Sequence, residues 1–380
     1  MSTGTTIAPS IAQFTLYFLR LGSVGFGGPI ALAGYMQRDL VEDRGWVSRE
    51  EYVEGLALAQ LAPGPLAAQL AIYLGWVRCG VLGATLVGLA FIVPSFLMVL
   101  ALAVLYIRLG GLPWMQGLFY GIGAAVIAII ARSAFKLTRS TLSKDRLLWS
   151  IFAVMAVVTA WTESEIVWLF LLCGVCALVV RRRWSVGALP AILPVWLISG
   201  IHGPASGTTL ATVFWYFTEA GAFVFGSGLA IVPFLYGGVV GDFHWLNERQ
   251  FLDAVAVAMI TPGPVVITVA FIGYLVAGPL GAALAALGVF LPCYLLVVIP
   301  APYFRRFAKN PQLKAFVDGV TAAATGAIAG AAFVLARRAI VDWPTALLAA
   351  VTLLVLLKIR RIPEPAVIVV AGLAGLLLPR

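Results

Sequence analysis

Long apolar segments alternate with short polar connectors along the whole chain. Most of these segments approach the roughly 20 residues that an α-helix needs to cross the hydrocarbon core of a membrane. The first half of the chain holds them at about 11–35, 54–76, 79–107, 115–135, 147–161 and 165–180. Counterparts follow in the second half at about 210–235, 252–277, 279–303, 315–336, 343–357 and 363–378. The pattern predicts an all-α polytopic membrane protein.

The two halves of the chain are copies of one unit. A shift of 199 positions aligns identical residues without a gap. The aligned pairs are Phe18 with Phe217, Gly22 with Gly221, Phe26 with Phe225, Gly27 with Gly226, Asp43 with Asp242, Trp46 with Trp245 and Pro63-Gly64-Pro65 with Pro262-Gly263-Pro264. After a one-residue slip the match continues, with Pro94 aligned to Pro292. Internal repeats of this kind are common in secondary transporters.

A short stretch between the copies, residues 185–200, contains two prolines, and the sequence leaves open whether it crosses the membrane. The predicted organisation is an N-terminal repeat at 1–184, a linker at 185–205 that is a candidate transmembrane segment, and a C-terminal repeat at 206–380. If the linker crosses, the chain has thirteen crossings and the two repeats are inverted relative to each other.

The charges of corresponding loops favour this inversion. The loop before the fourth segment of the first copy carries Arg108 alone, whereas its counterpart carries Arg305, Arg306, Lys309 and Lys314. Since cytoplasmic loops are enriched in Lys and Arg, the swap predicts opposite orientations of the two copies. With the N-terminus inside, thirteen crossings place Arg38, Arg44 and Arg49 outside.

Both copies start their second segment with the same helix-capping chemistry. Ser48 is the predicted N-cap in the first copy, with Glu51 as its capping-box partner, and Asn247 and Gln250 take these roles in the second. From residue 49 to residue 62 a helix rises roughly 21 Å. A helix that begins at the membrane surface therefore reaches the Pro-Gly-Pro motif well inside the bilayer.

The Pro-Gly-Pro motifs, Pro63-Gly64-Pro65 and Pro262-Gly263-Pro264, predict breaks in these helices. A proline in a helix interior removes a hydrogen-bond donor and clashes with the preceding turn, and two prolines around a glycine make continuation unfavourable. The helix is expected to stop and restart, with Pro65 and Pro264 at the first position of a new half-helix.

The first segment of each copy predicts a similar restart. Gly27 and Gly28 precede Pro29, and Gly226, Ser227 and Gly228 occupy the equivalent place. Each restart exposes free N–H groups at the positive end of a helix dipole, so up to four helix ends are predicted to hold an anion. The alternative is that these sites are kinks whose freed groups are satisfied by neighbouring helices.

Four polar or charged positions complete the predicted site. Arg20 and its repeat equivalent Glu219 lie within apolar segments, where charged groups are rare. Arg20 is interpreted as a positive charge near the anion, and Glu219 as its ion-pair partner or a proton carrier, unless either side chain reaches the interface. Gln69 and Thr268 lie one turn past the breaks, where they hydrogen-bond a substrate oxygen or only pack.

Another equivalent pair, Glu54 and Asp253, closely follows the two helix starts. This position predicts that both carboxylates lie at the membrane interface.

The motifs that recur in both copies resemble those of a known family. FGGP at 26–29, the acidic-then-Trp connectors, APGP at 62–65 and TPGP at 261–264 resemble the long, two-domain type of the chromate ion transporter family, over nearly the whole chain. The resemblance implies efflux of chromate from the prokaryotic cytoplasm by an integral multi-pass protein of the cytoplasmic membrane, with sulfate as a related substrate. The second copy departs from the pattern, because it reads FGSG and lacks a counterpart of Pro29.

Composition excludes several other classes of protein. Hydrophobic residues make up 62% of the chain, charged residues 11%, and the mean hydropathy is +1.03, so lipid is the main environment and no soluble domain is expected. The net charge of +9 is spread over short loops, which argues against nucleic acid. No phosphate-binding loop occurs, which disfavours a primary pump.

No enzyme active site, cofactor or metal site is predicted either. His202 and His244 lie in loops without a matching set of ligands, and Cys173 and Cys176 are interpreted as packing thiols. An anion channel and a carrier for another small anion remain alternatives to a chromate carrier, and a homodimer is an open assembly state.

Overall fold

The computed structural model describes most of the chain. The described residues are 9–26, 28–109, 113–142, 145–162, 167–181, 209–223, 225–226, 231–304, 311–340, 342–359 and 364–377. The predicted linker at 185–205 lies outside these residues, as do Gly27, Ser227 and Gly228.

The described chain is almost entirely helical, as the apolar pattern predicts. Its α-helices are α1 Ile11–Val24, α2 Gly28–Met36, α3 Arg49–Leu61, α4 Leu66–Leu109, α5 Pro113–Leu142, α6 Arg146–Thr162, α7 Val167–Arg181, α8 Thr209–Phe223, α9 Ile231–Tyr236, α10 Glu248–Ile260, α11 Thr268–Val298, α12 Pro311–Ala339, α13 Trp343–Lys358 and α14 Glu364–Leu377. Two short strands are β1 Gly64–Pro65 and β2 Phe225–Gly226. Short π-helical turns, Gln37–Asp43 and Gly237–Asp242, follow α2 and α9, and a 3₁₀ turn, Val265–Ile267, precedes α11.

The predicted caps of α3 and α10 are confirmed. Ser48 Oγ accepts a hydrogen bond from the backbone N–H of Glu51, whose carboxylate accepts one from the Ser48 N–H at 2.8 Å. Asn247 and Gln250 form the same box at 2.9 and 3.0 Å. These reciprocal bonds satisfy free donors at the helix start. Both helices then end just before a Pro-Gly-Pro motif, so the local sequence determines their length.

The chain reverses direction at the breaks, which corrects the interpretation of these segments as interrupted crossings. The hydroxyl of Tyr73 donates to the carboxylate of Glu54 at 3.0 Å. In a straight helix these residues would be about 28 Å apart. The N-terminal part of α4, residues 66–78, therefore lies beside α3, and the two form a helical hairpin, which we call hairpin 2.

The same reversal occurs at the first break. The hydroxyl of Tyr17 donates to Asp39 at 3.3 Å, and Phe14 contacts the ring of Trp46. The chain therefore returns along α1 after residues 25–26, and α1 and α2 form hairpin 1.

The second repeat reproduces both hairpins. The hydroxyl of Tyr216 donates to the carbonyl of Phe234 at 3.1 Å, which pairs α8 with α9 as hairpin 3. Tyr106 of α4 contacts both Asp253 and Phe271, so α10 and the first part of α11 also lie together, as hairpin 4. The repeat read from the sequence is thus present in the fold.

A second reversal divides α4 and α11. Gly80 has a φ of 58° and Gly278 a φ of 64°, values that glycine adopts readily. After the turn at Gly80 the chain runs back along hairpin 2, since a Cβ on Gly75 would lie 2.5 Å from the Gly83 oxygen. The rest of α4, residues 81–109, is about 43 Å long, enough to cross a membrane.

By length and apolar composition, four helical stretches of the described chain are long enough to span a membrane. They are Leu66–Leu109, Trp114–Lys136, Val265–Tyr303 and Lys314–Arg337.

The remaining helices exchange partners between the repeats. In the first repeat α5 packs against α13 and α14 of the second, and α12 of the second repeat packs against α6 and α7 of the first. An ion pair at 3.7 Å between Arg132 and Glu364 joins α5 to α14. The exchange makes the two repeats one structural unit around the hairpins.

Candidate functional site

The tips of the four hairpins meet in two pairs. At the tip of hairpin 2, β1 pairs in parallel with β2 at the tip of hairpin 3, with Gly64 opposite Phe225 and Pro65 opposite Gly226. At the tip of hairpin 4, the backbone N–H of Gly263 donates to the Gly25 carbonyl of hairpin 1 at 2.9 Å. Each Pro-Gly-Pro motif is thereby bonded to the first-segment break of the other repeat. The breaks that the sequence predicts separately thus form two bonded pairs, each of which joins the two repeats.

The central glycines of the tips are required by backbone geometry and by space. Gly64 has a φ of 139° and Gly263 a φ of 98°, which L side chains rarely adopt. A Cβ on Gly64 would lie 2.6 Å from Gln69 Nε2 and 3.1 Å from the sulfur of Cys293. A Cβ on Gly263 would overlap the hydroxyl of Ser95. Any side chain at these positions would displace the tip.

Ser95 and Cys293, the residues that face the tip glycines, are equivalent in the repeat and follow Pro94 and Pro292. Both side chains are fully buried, and Ser95 donates to the Gly22 carbonyl at 3.2 Å. Ser95 is the midpoint of residues 81–109. The tip of hairpin 4 therefore lies halfway along a helix long enough to cross a membrane, and the tip of hairpin 2 lies against Cys293 of α11.

The side chain of Gln69 forms hydrogen bonds at the tip of hairpin 2. It is fully buried, and its Nε2 donates to the carbonyls of Pro63 at 2.7 Å and Ala62 at 3.2 Å. Its Oε1 is buried without a hydrogen-bond partner among the described residues. Leaving such an atom unpaired costs about 1–3 kcal/mol. A bound group that donates a hydrogen bond to Oε1 would remove that cost.

Thr268, the equivalent of Gln69, is also fully buried, but its hydroxyl donates to the Val265 carbonyl within its own turn at 2.8 Å. Near the end of α10, the Ala258 carbonyl accepts a hydrogen bond from the Thr261 hydroxyl at 3.0 Å. Thr261 thus binds a carbonyl at this helix end, where Gln69 does so in the first repeat. The two half-sites therefore differ in side-chain chemistry, although their backbones are alike.

The restart positions shift by one or more residues from the prediction. Pro65 lies in β1, and α4 begins at Leu66; Pro264 precedes the 3₁₀ turn, and α11 begins at Thr268. Pairing of β1 with β2 keeps Pro65 extended, which is why it is not the first helical residue. In hairpin 1, α2 begins at Gly28, so Pro29 is its second residue, and Gly226 belongs to β2.

Arg20 and Glu219 lie on equivalent, exposed faces of α1 and α8. Within the described part of the chain, neither takes part in a salt bridge, either with the other or with another residue. The structure does not bring them together, and their roles in charge and coupling stay predictions.

Asp253 is a functional candidate whose burial the sequence did not predict. It is 4% exposed, and the Tyr106 hydroxyl donates to its carboxylate at 2.7 Å. The available signal was the run AVAVAM that follows Asp253, which is apolar on every face and therefore typical of a buried helix. Its repeat equivalent Glu54 is only half-buried.

A family model described as chromate transporter matches residues 12–178 and 211–376 of the chain. The protein belongs to the chromate transporter family. The model matches once in each half, in agreement with the internal repeat.

Curated relatives extend over almost the full chain of this chromate transporter family member. A chromate transport protein of Cupriavidus metallidurans is 60% identical over 97% of this chain and 93% of its own length. A probable chromate transport protein of Synechococcus elongatus is 59% identical over 97% and 96%. A chromate transport protein of Pseudomonas aeruginosa is 32% identical over 86% and 82%. No solved structure matches the chain.

Family membership and the long apolar helices together make the chain an integral membrane transport protein. The named relatives are transporters rather than enzymes.

Proposed function

We propose that the protein is a secondary active transporter that exports chromate, and also carries sulfate, across the prokaryotic cytoplasmic membrane. The observation that carries this proposal is the pairing of the hairpin tips across the two repeats, with one pair halfway along a helix long enough to span a membrane. The substrate class comes from the names of the relatives. The groups proposed to bind the oxyanion come from the hairpin tips.

The tips supply positive helix ends for an oxyanion. The N-terminus of α4 begins directly after Pro65, and that of α2 at Gly28, so both present free N–H groups and the positive end of a dipole. At the second Pro-Gly-Pro, the 3₁₀ turn and α11 offer an equivalent start. Helix α9 has only six residues and is too short to provide such a site.

Helix C-termini also point toward the tips, and their negative ends oppose an anion. Gln69 reduces this opposition, because its Nε2 binds the carbonyls of Ala62 and Pro63 beyond the end of α3. We assign Gln69 the role of offsetting the partial negative charge of these carbonyls. The positive end of the α4 dipole then dominates the electrostatic potential at the tip.

A Gln69→Leu substitution tests this role. We expect the KM for chromate to rise by about tenfold or more, the size of a lost hydrogen bond near a charged group, with little change in protein yield. Concentration-dependent uptake of chromate into inverted membrane vesicles measures the effect. Thr268→Val is the matched control, and its effect should be smaller because Thr268 is satisfied within its own turn. An unchanged KM in Gln69→Leu contradicts the assignment.

We infer that the two repeats are inverted. Hairpin 2 opens beside the start of residues 81–109, since the chain joins them through the turn at Gly80. Hairpin 4 opens beside the other end of the same helix, where Tyr106 contacts Asp253 and Phe271. Equivalent hairpins that open at opposite ends of one spanning helix support opposite orientations of the repeats.

The reversals also change the expected orientation of charges. Since hairpins 1 and 2 turn back at their tips, Arg38, Arg44 and Arg49 lie at the same end as the start of α1, whereas the count of thirteen crossings put them on opposite sides of the membrane. The positive-inside rule then favours that end as cytoplasmic. If the shorter apolar helices α6 and α7 cross the membrane together with residues 81–109 and α5, the first repeat has four crossings, and inversion then requires the linker at 185–205 to be a fifth.

Cysteine labelling tests the inversion. Cys79 is exposed at the turn of α4, and Ala277 holds the equivalent position in α11. In intact cells a membrane-impermeant maleimide is expected to label an Ala277→Cys variant of a Cys79→Ala protein and to leave native Cys79 unlabelled. In inverted vesicles the order reverses. Labelling of both positions from the same side overturns the inversion.

Transport itself is tested with labelled chromate and sulfate in inverted vesicles, where export appears as uptake. Saturable, gradient-dependent accumulation of chromate that sulfate inhibits is the expected result. Large uncoupled currents in proteoliposomes would instead identify an anion channel. Absence of chromate and sulfate uptake would refute the proposal.

A further inference from the structure

A buried carboxyl group lies outside the oxyanion site. Asp253 is on α10 of hairpin 4, eight residues before Thr261 at the tip, which is about 12 Å along the helix. It is 4% exposed, and no described salt bridge includes it. Burial without a cationic partner disfavours the ionised form of a carboxyl group. Such a group inside a membrane protein is expensive and usually functional.

The hydrogen bond of Asp253 joins the two repeats. Its partner, the Tyr106 hydroxyl at 2.7 Å, belongs to the spanning part of α4 in the first repeat. The ring of Tyr106 is held edge-on between Phe119 and Phe271. The bond therefore ties α10 of hairpin 4 to the same helix whose Ser95 faces the tip of that hairpin.

The equivalent carboxylate of the first repeat bonds within its own hairpin. Glu54 accepts a hydrogen bond from the Tyr73 hydroxyl at 3.0 Å. Phe304 takes the place of Tyr106 in the second repeat, and it has no hydroxyl. The side-chain bond from Tyr106 to Asp253 therefore has no equivalent between Phe304 and Glu54.

Few other charged groups face Asp253. Arg249, one turn earlier on α10, is exposed and donates to the Gln116 carbonyl of α5 at 3.0 Å. Among the other elements packed on α10, α11 contains no charged residue, and Glu364 of α14 is paired with Arg132 of α5. α4 carries Arg108 two residues after Tyr106, and the π-helical turn before α10 ends at Asp242. Tyr106 and Arg249 are the groups that act most directly on Asp253.

We propose that Asp253 is a proton-binding site that couples oxyanion export to the proton gradient, with the Tyr106 hydroxyl as its positioning partner. The inference rests on the proposed transport function. The ionised carboxylate holds the Tyr106 hydroxyl and ties hairpin 4 to α4. When it takes one proton from water at the outer side, the tie weakens, hairpin 4 moves with its tip, and the proton leaves to the cytoplasm as the carboxylate re-forms. Only an O–H bond is made and broken.

The test compares two activities of the full chain in proteoliposomes. Chromate exchange without a gradient reports substrate binding and movement. Chromate accumulation under an imposed pH gradient, with a trapped pH dye, reports coupling. Asp253→Asn is expected to retain exchange and to lose both the accumulation and the chromate-dependent proton flux. If one proton enters for each chromate exported, a difference of one pH unit sustains about a tenfold ratio of chromate concentrations across the membrane in the wild type. The variant is expected to sustain no chromate gradient.

Matched variants decide the remaining outcomes. Glu54→Gln, at the equivalent position, should keep the gradient-driven accumulation, and Asp253→Glu should restore it. Gradient-driven accumulation and proton flux in Asp253→Asn overturn the inference. If that variant lacks exchange as well, Tyr106→Phe decides, since it should shift the pH at which coupled transport is half-maximal, and an unchanged profile overturns the inference.

The wild type separates this inference from the proposed function. Chromate exchange without any proton flux refutes the proton site alone, whereas no chromate exchange refutes the transport function itself.

Discussion

Replacing Gly263 with alanine is expected to abolish chromate transport. The new Cβ would overlap the Ser95 hydroxyl, and the φ of 98° would be strained in any residue with a side chain. The tip of hairpin 4 must then move away from Ser95 and break its bond to Gly25. A displacement of about 1 Å at a preorganised site costs about a hundredfold in rate, and we expect a loss of this size.

Two other glycines separate the causes of this loss. Gly278 has a φ of 64° with no atom within 4 Å of an added Cβ, so Gly278→Ala tests backbone strain alone. Gly241 has open space and no positive φ, so Gly241→Ala should behave as wild type. Initial rates of chromate uptake in inverted vesicles, corrected for the amount of protein, measure all three. If Gly263→Ala transports as well as Gly278→Ala, the tip is not the site.

Replacing Gly22 with alanine is expected to destabilise the fold rather than change substrate affinity. A Cβ at this position would overlap the backbone oxygen of Phe91, where α1 crosses α4, and backbone cannot yield as a flexible side chain can. Gly221 meets the Val289 oxygen in the same way in the second repeat. Overpacking of this kind costs about 1–3 kcal/mol at each site.

Thermal stability in detergent, followed by size-exclusion chromatography, measures this effect. Gly22→Ala and Gly221→Ala should each lower the midpoint, and the double variant should lower it further because the two crossings are separate. Gly34→Ala is the control, since its Cβ would meet no atom within 4 Å. Equal stability of Gly22→Ala and Gly34→Ala would show that the helices do not cross as closely as described.

Local chemistry made much of this fold predictable. The caps at Ser48 and Asn247, and the ends of α3 and α10 at the Pro-Gly-Pro motifs, follow from bonds within a few residues of each other. Such bonds are strong enough to specify where a helix starts and stops whatever surrounds it. The internal repeat was equally visible, because each copy carries the same local signals.

The candidate site was predictable in part for the same reason. The tip glycines, Gly64 and Gly263, and Gln69 were recognised from their motifs, and the structure places them at the hairpin tips. Ser95 and Cys293 were missed as neighbours of the tips, since nothing in their own segment indicates that a tip from the other repeat lies against them. The burial of Asp253 was not predicted, because its hydrogen-bond partner Tyr106 lies 147 residues away in the chain.

The sequence by itself determined that this is a duplicated, helical membrane protein, which helices break, and at what distance from their starts. Whether the chain continues or turns back at each break was decided only by the tertiary structure, because a Pro-Gly-Pro motif ends a helix equally well in a kink and in a hairpin. The choice depends on side-by-side contacts such as Tyr73 with Glu54 and on the pairing of β1 with β2. Those contacts join residues distant in sequence, so no local pattern encodes them.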